Sequence, residues 1–159
     1  MPAARAAALV ILAAVAVPAA AKDAALAVRT AWSRPAAAGG TAAGYMTLIN
    51  RGQADALVGA ESPLAGRVEL HASSMAGGMM RMSAEPRIAL PPGGEVSFAP
   101  GGRHLMFVGV KRALRAGDRL PATLRFASGR KLPVEFSVTP GTPPASAQAP
   151  GMGETRHKP

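Results

Sequence analysis

The 159-residue chain contains no cysteine. That absence excludes disulfides, thiolate zinc sites, iron–sulfur clusters, cysteine nucleophiles and CxxC redox chemistry. A blue-copper electron-transfer centre is excluded as well, because it needs a thiolate beside its two imidazoles. Acidic residues are also few, 9 against 18 Lys and Arg, giving a formal charge of +9. A basic chain suggests nucleic acid as a partner, but only where it could meet one. What remains for chemistry is 3 His, 8 Met, the few carboxylates and the hydroxyls.

Long apolar runs are missing too, apart from one at the N-terminus. Arg5 is followed by an uninterrupted apolar stretch from Ala6 to Val17, then Pro18 and the small residues Ala19, Ala20 and Ala21. The pattern is that of a secretory signal peptide, residues 1–21, with cleavage expected after Ala21. The stretch falls short of the ~20 apolar residues a membrane span needs, so an uncleaved anchor is the weaker reading. Without a cysteine, a lipid anchor on that residue is unavailable. Export to the periplasm is therefore expected, with no nucleic acid as partner and no stable membrane insertion once the signal is removed.

Residues 22–138 read as one globular body and 139–159 as a flexible tail rich in Pro, Gly and Ala, with little to bury. Within the body the apolar period is two. Leu26, Val28 and Thr30 lead into Trp32, and Tyr45 to Ile49 is rich in residues that suit a pleated surface. Arg67–His71, Glu95–Phe98 and Ala122–Phe126 alternate, and Leu132–Val138 closes the series, its Pro133 favouring an edge or strand start. Gly and Pro clusters separate these runs. Seven to nine short strands predict an all-β, antiparallel sandwich or barrel, with at most one helical turn near Lys111–Leu114.

Both His residues of the body sit among Met residues. His71 precedes Met75, and Met79, Met80 and Met82 follow. His104 and Met106 are two apart, so on a strand they share a face, as do Met80 and Met82, while Met79 faces the other way. Thioether sulfur is soft and neutral and favours Cu(I), imidazole accepts copper in either state, and hard ions would want carboxylates, which do not cluster here. Thioethers also survive an oxidising compartment where paired thiols close into disulfides. An esterase built on Ser73 or Ser74 with His71 ranks last, since no nucleophile elbow or His-orienting carboxylate stands at a convincing spacing. The eight basic residues from Arg103 to Lys131, with Asp118 the lone acid among them, offer a face that could steer docking to an acidic partner or an anionic membrane.

His71, ten residues, Met82, twenty-one residues, then His104-x-Met106 is similar to the HX10MX21HXM pattern of the periplasmic copper chaperones called PCuAC. The likeness extends through Ala31-Trp32, Gly44–Leu48, Val68–His71, Pro100-Gly101-Gly102, Gly109–Arg112 and Gly117-Asp118, roughly residues 27–138. This resemblance implies a cupredoxin-like Greek-key β fold, no enzymatic activity, and Cu(I) held by His71, Met82, His104 and Met106. It further implies delivery to the CuA centre of cytochrome c oxidase subunit II, in some members together with a Sco-type thiol protein. The alternative is periplasmic copper buffering or resistance without a dedicated acceptor. Some family members bind Cu(II) as a second ion through a His- and Met-rich tail, for which this chain offers only Met152 and His157. Met75, Met79 and Met80 lie outside the pattern and are expected to fill the core, with a soft-donor path for copper as the alternative.

Overall fold

The computed structural model describes residues 25–141, so the expected signal peptide and almost all of the expected tail, Met152 and His157 included, lie outside the described residues. Ten strands follow in order: β1 (Leu26–Ser33), β2 (Thr41–Asn50), β3 (Asp55–Glu61), β4 (Ala65–Ala76), β5 (Met79–Ala84), β6 (Ile88–Leu90), β7 (Glu95–Phe98), β8 (Arg103–Val110), β9 (Arg119–Phe126) and β10 (Lys131–Val138). Seven of them close a barrel in the order β4, β8, β2, β1, β10, β9, β3, with β3 returning to β4. The pairings are antiparallel except for β1 with β10, so the sheet is mixed, where the alternation alone had suggested an antiparallel one. Alternation reports which face a residue takes but not the direction of the strand beside it.

The even-numbered side chains of β2 and β9 and the odd-numbered ones of β8 fill the barrel. Met46, Leu48, Leu105, Phe107, Leu120, Leu124 and Phe136 are fully buried, and the Phe107 and Phe136 rings meet edge to face at 5.4 Å. Gly44 makes room for them: a Cβ there would stand 2.6 Å from the Phe107 ring. At the barrel's end the buried Asn50 amide donates to the Leu90 carbonyl at 3.1 Å and the Gln53 carbonyl at 2.7 Å, while its Oδ1 accepts from Gly52 N–H at 3.0 Å. That side chain ties the turn after β2 to β6. Pro133 does lie where β10 has β9 on one flank only, because β1 reaches it only at Ser137 and Val138. The helical turn expected near Lys111–Leu114 does not form. Leu114 instead bridges Ala36 through a reciprocal pair of backbone hydrogen bonds of 2.8 and 3.1 Å, a non-local partner that spacing cannot reveal.

β1 breaks its own alternation. Val28 pairs with Leu48, but the register slips between Arg29 and Trp32, and Thr30 sits in the left-handed region at φ 56°. A β-branched residue there is an outlier whose strain the surrounding sheet must impose. A one-residue bulge moves every later side chain to the opposite face. Trp32 thus pairs with Tyr45 outside the barrel and leaves the interior that Leu26 and Val28 occupy.

Three carboxylates tie loops to strands. Burial opposes ionisation of Asp55, but hydrogen bonds from Ser128 and from the Ala56 N–H outweigh it and hold its carboxyl below the usual range. The Arg103 guanidinium lowers Glu85, and the Arg115 N–H and Arg112 lower Asp118. A carboxyl depressed in the folded state adds stability that is complete above its unfolded pKa and lost as pH falls through the folded one. The thermal midpoint is therefore expected to hold steady down to about pH 5 and to drop below about pH 4. Asp55→Asn should flatten that drop in a melting series across pH.

Candidate metal centre

His71 and His104 stand directly opposite each other on β4 and β8, with ring centroids 6.0 Å apart. Their neighbours Leu70 and Leu105 point into the barrel, so both imidazoles lie on its outer face. His104 is nonetheless 4% exposed. A layer of aromatic rings crosses four adjacent strands at this level. Trp32 stacks on Tyr45 at 4.5 Å, Tyr45 approaches His104 at 6.5 Å, and His104 faces His71. The bulge at Thr30 is what brings Trp32 into this layer.

Each imidazole is held by one nitrogen and leaves the other unpartnered. His104 Nδ1 donates to the Gly102 carbonyl at 3.0 Å, and the same carbonyl accepts the Ser73 N–H at 3.0 Å. His71 Nε2 donates to Glu69 Oε2 at 2.9 Å. These bonds set the tautomers, leaving lone pairs on His104 Nε2 and His71 Nδ1. Both atoms are buried without a hydrogen-bond partner. A buried polar atom left unmade costs about 1–3 kcal/mol, so two in facing rings require a reason. Imidazoles that ligate metals show the same arrangement, one nitrogen on a carboxylate or carbonyl and the other on the ion.

The two Met residues of the spacing pattern reach the same face. In the register His71 opposes Ala84, which makes Met82, two residues along β5, its diagonal neighbour, and Met106 is its diagonal neighbour on β8. Such diagonals are about 7–8 Å apart, within reach of long side chains. Met106 is half-buried opposite Glu69, and Met82 is exposed. Among the described residues no three His, Asp or Glu side chains converge, so any ion held here would draw on sulfur. The donor set, two neutral imidazoles and two thioethers, suits a soft monovalent cation.

Several expectations need correction. Met75, Met79 and Met80 are not core residues: they are 65%, 67% and 63% exposed on a hairpin that leaves the barrel. Parity along β5 could not say whether either face was covered. The basic residues from Arg103 to Lys131 are spread over β8, β9, β10 and the turns between them: Arg103 adjoins His104 and Arg125 of β9 lines a cavity with Glu69 and His71, whereas Lys131 lies on β10, which pairs with neither β4 nor β8. Arg103, Arg112 and Arg119 are ion-paired with Glu85, Asp118 and Glu135. The carboxylate orienting His71, which the spacing did not reveal, is Glu69, two residues back on the same strand face. Its pairing could have been found from that i, i−2 relation alone. The carboxyl is held below the usual range by Arg67 first and His71 second. No Ser hydroxyl engages His71, whose remaining nitrogen has no hydrogen-bond partner, so the esterase arrangement is not assembled.

A closed all-β barrel with a His and Met cluster on one outer strand end defines a cupredoxin-like domain of the PCuAC type. Solved structures of that class match throughout the body: the copper-bound PCuAC domain from PmoF2 at TM-score 0.60 and 26% identity, over 72% of this chain and 92% of that one. The solution structure of apo-DR1885 from Deinococcus radiodurans matches at TM-score 0.54 and 33% identity, over 89% and 95%. Its Cu(I) form matches at 0.53 and 35%, over 75% and 85%. The LpqE-like family ("Putative lipoprotein LpqE-like") matches residues 26–138, and the chain belongs to that family. It is 36% identical over 101 residues to "Putative lipoprotein Lxx21020" of Leifsonia xyli subsp. xyli (strain CTCB07), 62% of this chain, and spans about three-fifths (61%) of that relative's length.

If Glu69 orients His71 as a metal ligand, Glu69→Ala should weaken metal binding by about 10- to 100-fold, the usual cost of losing an outer-shell partner. Since Glu69 is only half-buried, on the outer face of β4, the melting temperature should move little. Parallel titration and melting of the variant check both halves of that expectation.

Proposed function

We propose that this protein binds Cu(I) as cargo in the periplasm and passes it to another protein. The ligands in this reading are His71, Met82, His104 and Met106. The observation that carries it is the pair of buried, unpartnered nitrogens, His71 Nδ1 and His104 Nε2, on facing rings. Copper in the related PmoF2 and DR1885 structures supports the choice of metal. Export is supported by the N-terminal apolar run and by the lipoprotein names of the relatives.

Neutral donors at a strand end suit a carrier. A partner can replace thioethers and imidazoles one at a time, whereas a thiolate cage would hold copper more firmly. The acceptor in this reading is the CuA centre of cytochrome c oxidase subunit II, with a Sco-type thiol protein acting beside it. Loss of oxidase activity in a deletion strain, restored by added copper, supports delivery. Unchanged oxidase activity with heightened copper sensitivity would assign the protein to buffering instead. A second, Cu(II) ion would have to use Met152 and His157.

An anaerobic competition titration against a Cu(I) chelator tests the site: one tight equivalent is expected. Protons compete for the same imidazole lone pairs, so affinity should fall as pH drops from about 7 to about 5. An affinity flat across that range would remove His71 and His104 as ligands.

A further inference from the structure

The β4–β5 hairpin carries more sulfur than the four-ligand reading uses. β4 pairs with β8 only as far as Ala72, and β5 pairs with β4 alone, so Ser74 to Arg81 project past the barrel as a two-stranded arm. Gly77 and Gly78, at φ 58° and 77°, supply the two left-handed residues that its tight turn requires. Met75 and Met80 face each other across the arm, one step above the Ser73–Met82 pair and two above His71–Ala84.

The hydrogen-bonding phase of this hairpin is fixed. Glu85 N–H donates to the Leu70 carbonyl at 2.9 Å, which makes 70/85 a hydrogen-bonded pair. Alternation then places Met75 and Met80 in a non-hydrogen-bonded pair, where the Cα atoms are only about 4.5 Å apart and the side chains are closest. Pairs 75/80, 73/82 and 71/84 share one face, the face of His104 and Met106. Successive pairs are about 6.6 Å apart along the strands. Met79 and Arg81 point the opposite way.

Exposing these large apolar side chains on a free-standing arm adds nothing to folding. An isolated two-stranded hairpin is marginal, and its stability would be better served by polar residues. Thioethers have a use that aliphatic chains lack, as soft donors for a monovalent cation.

We propose that Met75 and Met80, sharing Met82 with the site below, form a second soft-metal site that captures Cu(I) at the hairpin tip and passes it down the same face to His71 and His104. This rests on the copper reading above. The transfer is ligand exchange with copper remaining monovalent: Met75 and Met80 leave as His71 and His104 bind, while Met82 stays attached.

The test follows each Met ε-methyl by NMR in the full chain as Ag(I), a redox-inert stand-in for Cu(I), is added to two equivalents. Met82 and Met106 should shift with the first equivalent and Met75 and Met80 with the second, while Met79, equally exposed on the wrong face, stays still. Loading from a Cu(I)–chelator complex is then timed by stopped flow. Met75→Leu/Met80→Leu, which keeps the apolar bulk, should slow loading about tenfold, the scale on which a nearby donor raises local concentration, without changing the affinity of the tight equivalent. Met79→Leu should load as the wild type does. Tip methyls that respond no more than Met79, or a double variant that loads at the wild-type rate, would overturn the proposal. If a tight equivalent forms and the tip stays silent, only the tip site fails. If the tip methyls shift and no tight equivalent exists, only the imidazole site fails.

Discussion

His104→Ala is expected to weaken Cu(I) binding by more than about 100-fold, beyond the 10- to 100-fold that an outer-shell change costs. The size of the effect follows from how the ring is prepared. Its Nδ1 is tied to the Gly102 carbonyl, which Ser73 N–H also holds, so Nε2 is fixed in place before any ion arrives. Little ordering then remains to be done on binding, and removing the ring forfeits both the donor and that advantage. The folded state should tolerate the change, because the substitution also removes a buried nitrogen without a hydrogen bond. Chelator competition and thermal melting separate the two effects. A variant that still binds one tight equivalent would place the metal elsewhere. Met82→Ala should show a smaller loss, since Met82 is exposed and its neighbours on the arm offer replacement sulfur.

Phe107→Ala is expected to cost about 3–5 kcal/mol, a large part of the roughly 5–15 kcal/mol that holds a domain together. Phe107 is fully buried, its ring meets Phe136 edge to face, and it fills the space that the absent side chain of Gly44 leaves. Strands β2, β8 and β10 meet at this point, so neighbouring backbone has little freedom to collapse into the void. A fall in melting temperature of more than about 10 °C should follow. Copper affinity measured well below the new midpoint should change far less than in His104→Ala, because Phe107 points into the barrel while Met106 and His104 point out. A loss of affinity as large as that of His104→Ala would mean that the site depends on core packing as much as on its ligands.

How much of this was legible beforehand differs from residue to residue. Period-two alternation located β1, β4, β7, β9 and β10, and strand-favouring composition located β2, because an inside and an outside leave a local trace in the chain. The short β6 and the exposed β5 had no such trace: one is three residues long, and the other buries neither face. The outward side of Trp32 could not be read from the alternation of Leu26 and Val28, since a bulge is a property of two paired strands and not of one. The 71/82/104/106 spacing pointed to residues that the strand register does bring to one face. It said nothing of Glu69, of the Gly102 carbonyl, or of the Tyr45 and Trp32 rings beside them.

The sequence by itself determined the inventory. It has no thiol, few acids and many thioethers, and its two well-spaced imidazoles lie in segments whose alternation demands strands. Those are facts of composition and local period, and they remove thiolates from the donors and make soft thioethers plentiful whatever the fold. Only the tertiary structure decided which nitrogens are free: each ring is tied to a group two residues back, and the packing of β4 against β8 buries the nitrogen left over. It also decided that Met75 and Met80 stand in water above the imidazole pair and not in the core. The first outcome depends on register between β4 and β8, strands distant in the chain, and the second on the β4–β5 hairpin running past the barrel; a one-residue slip in either pairing would send side chains to the opposite face.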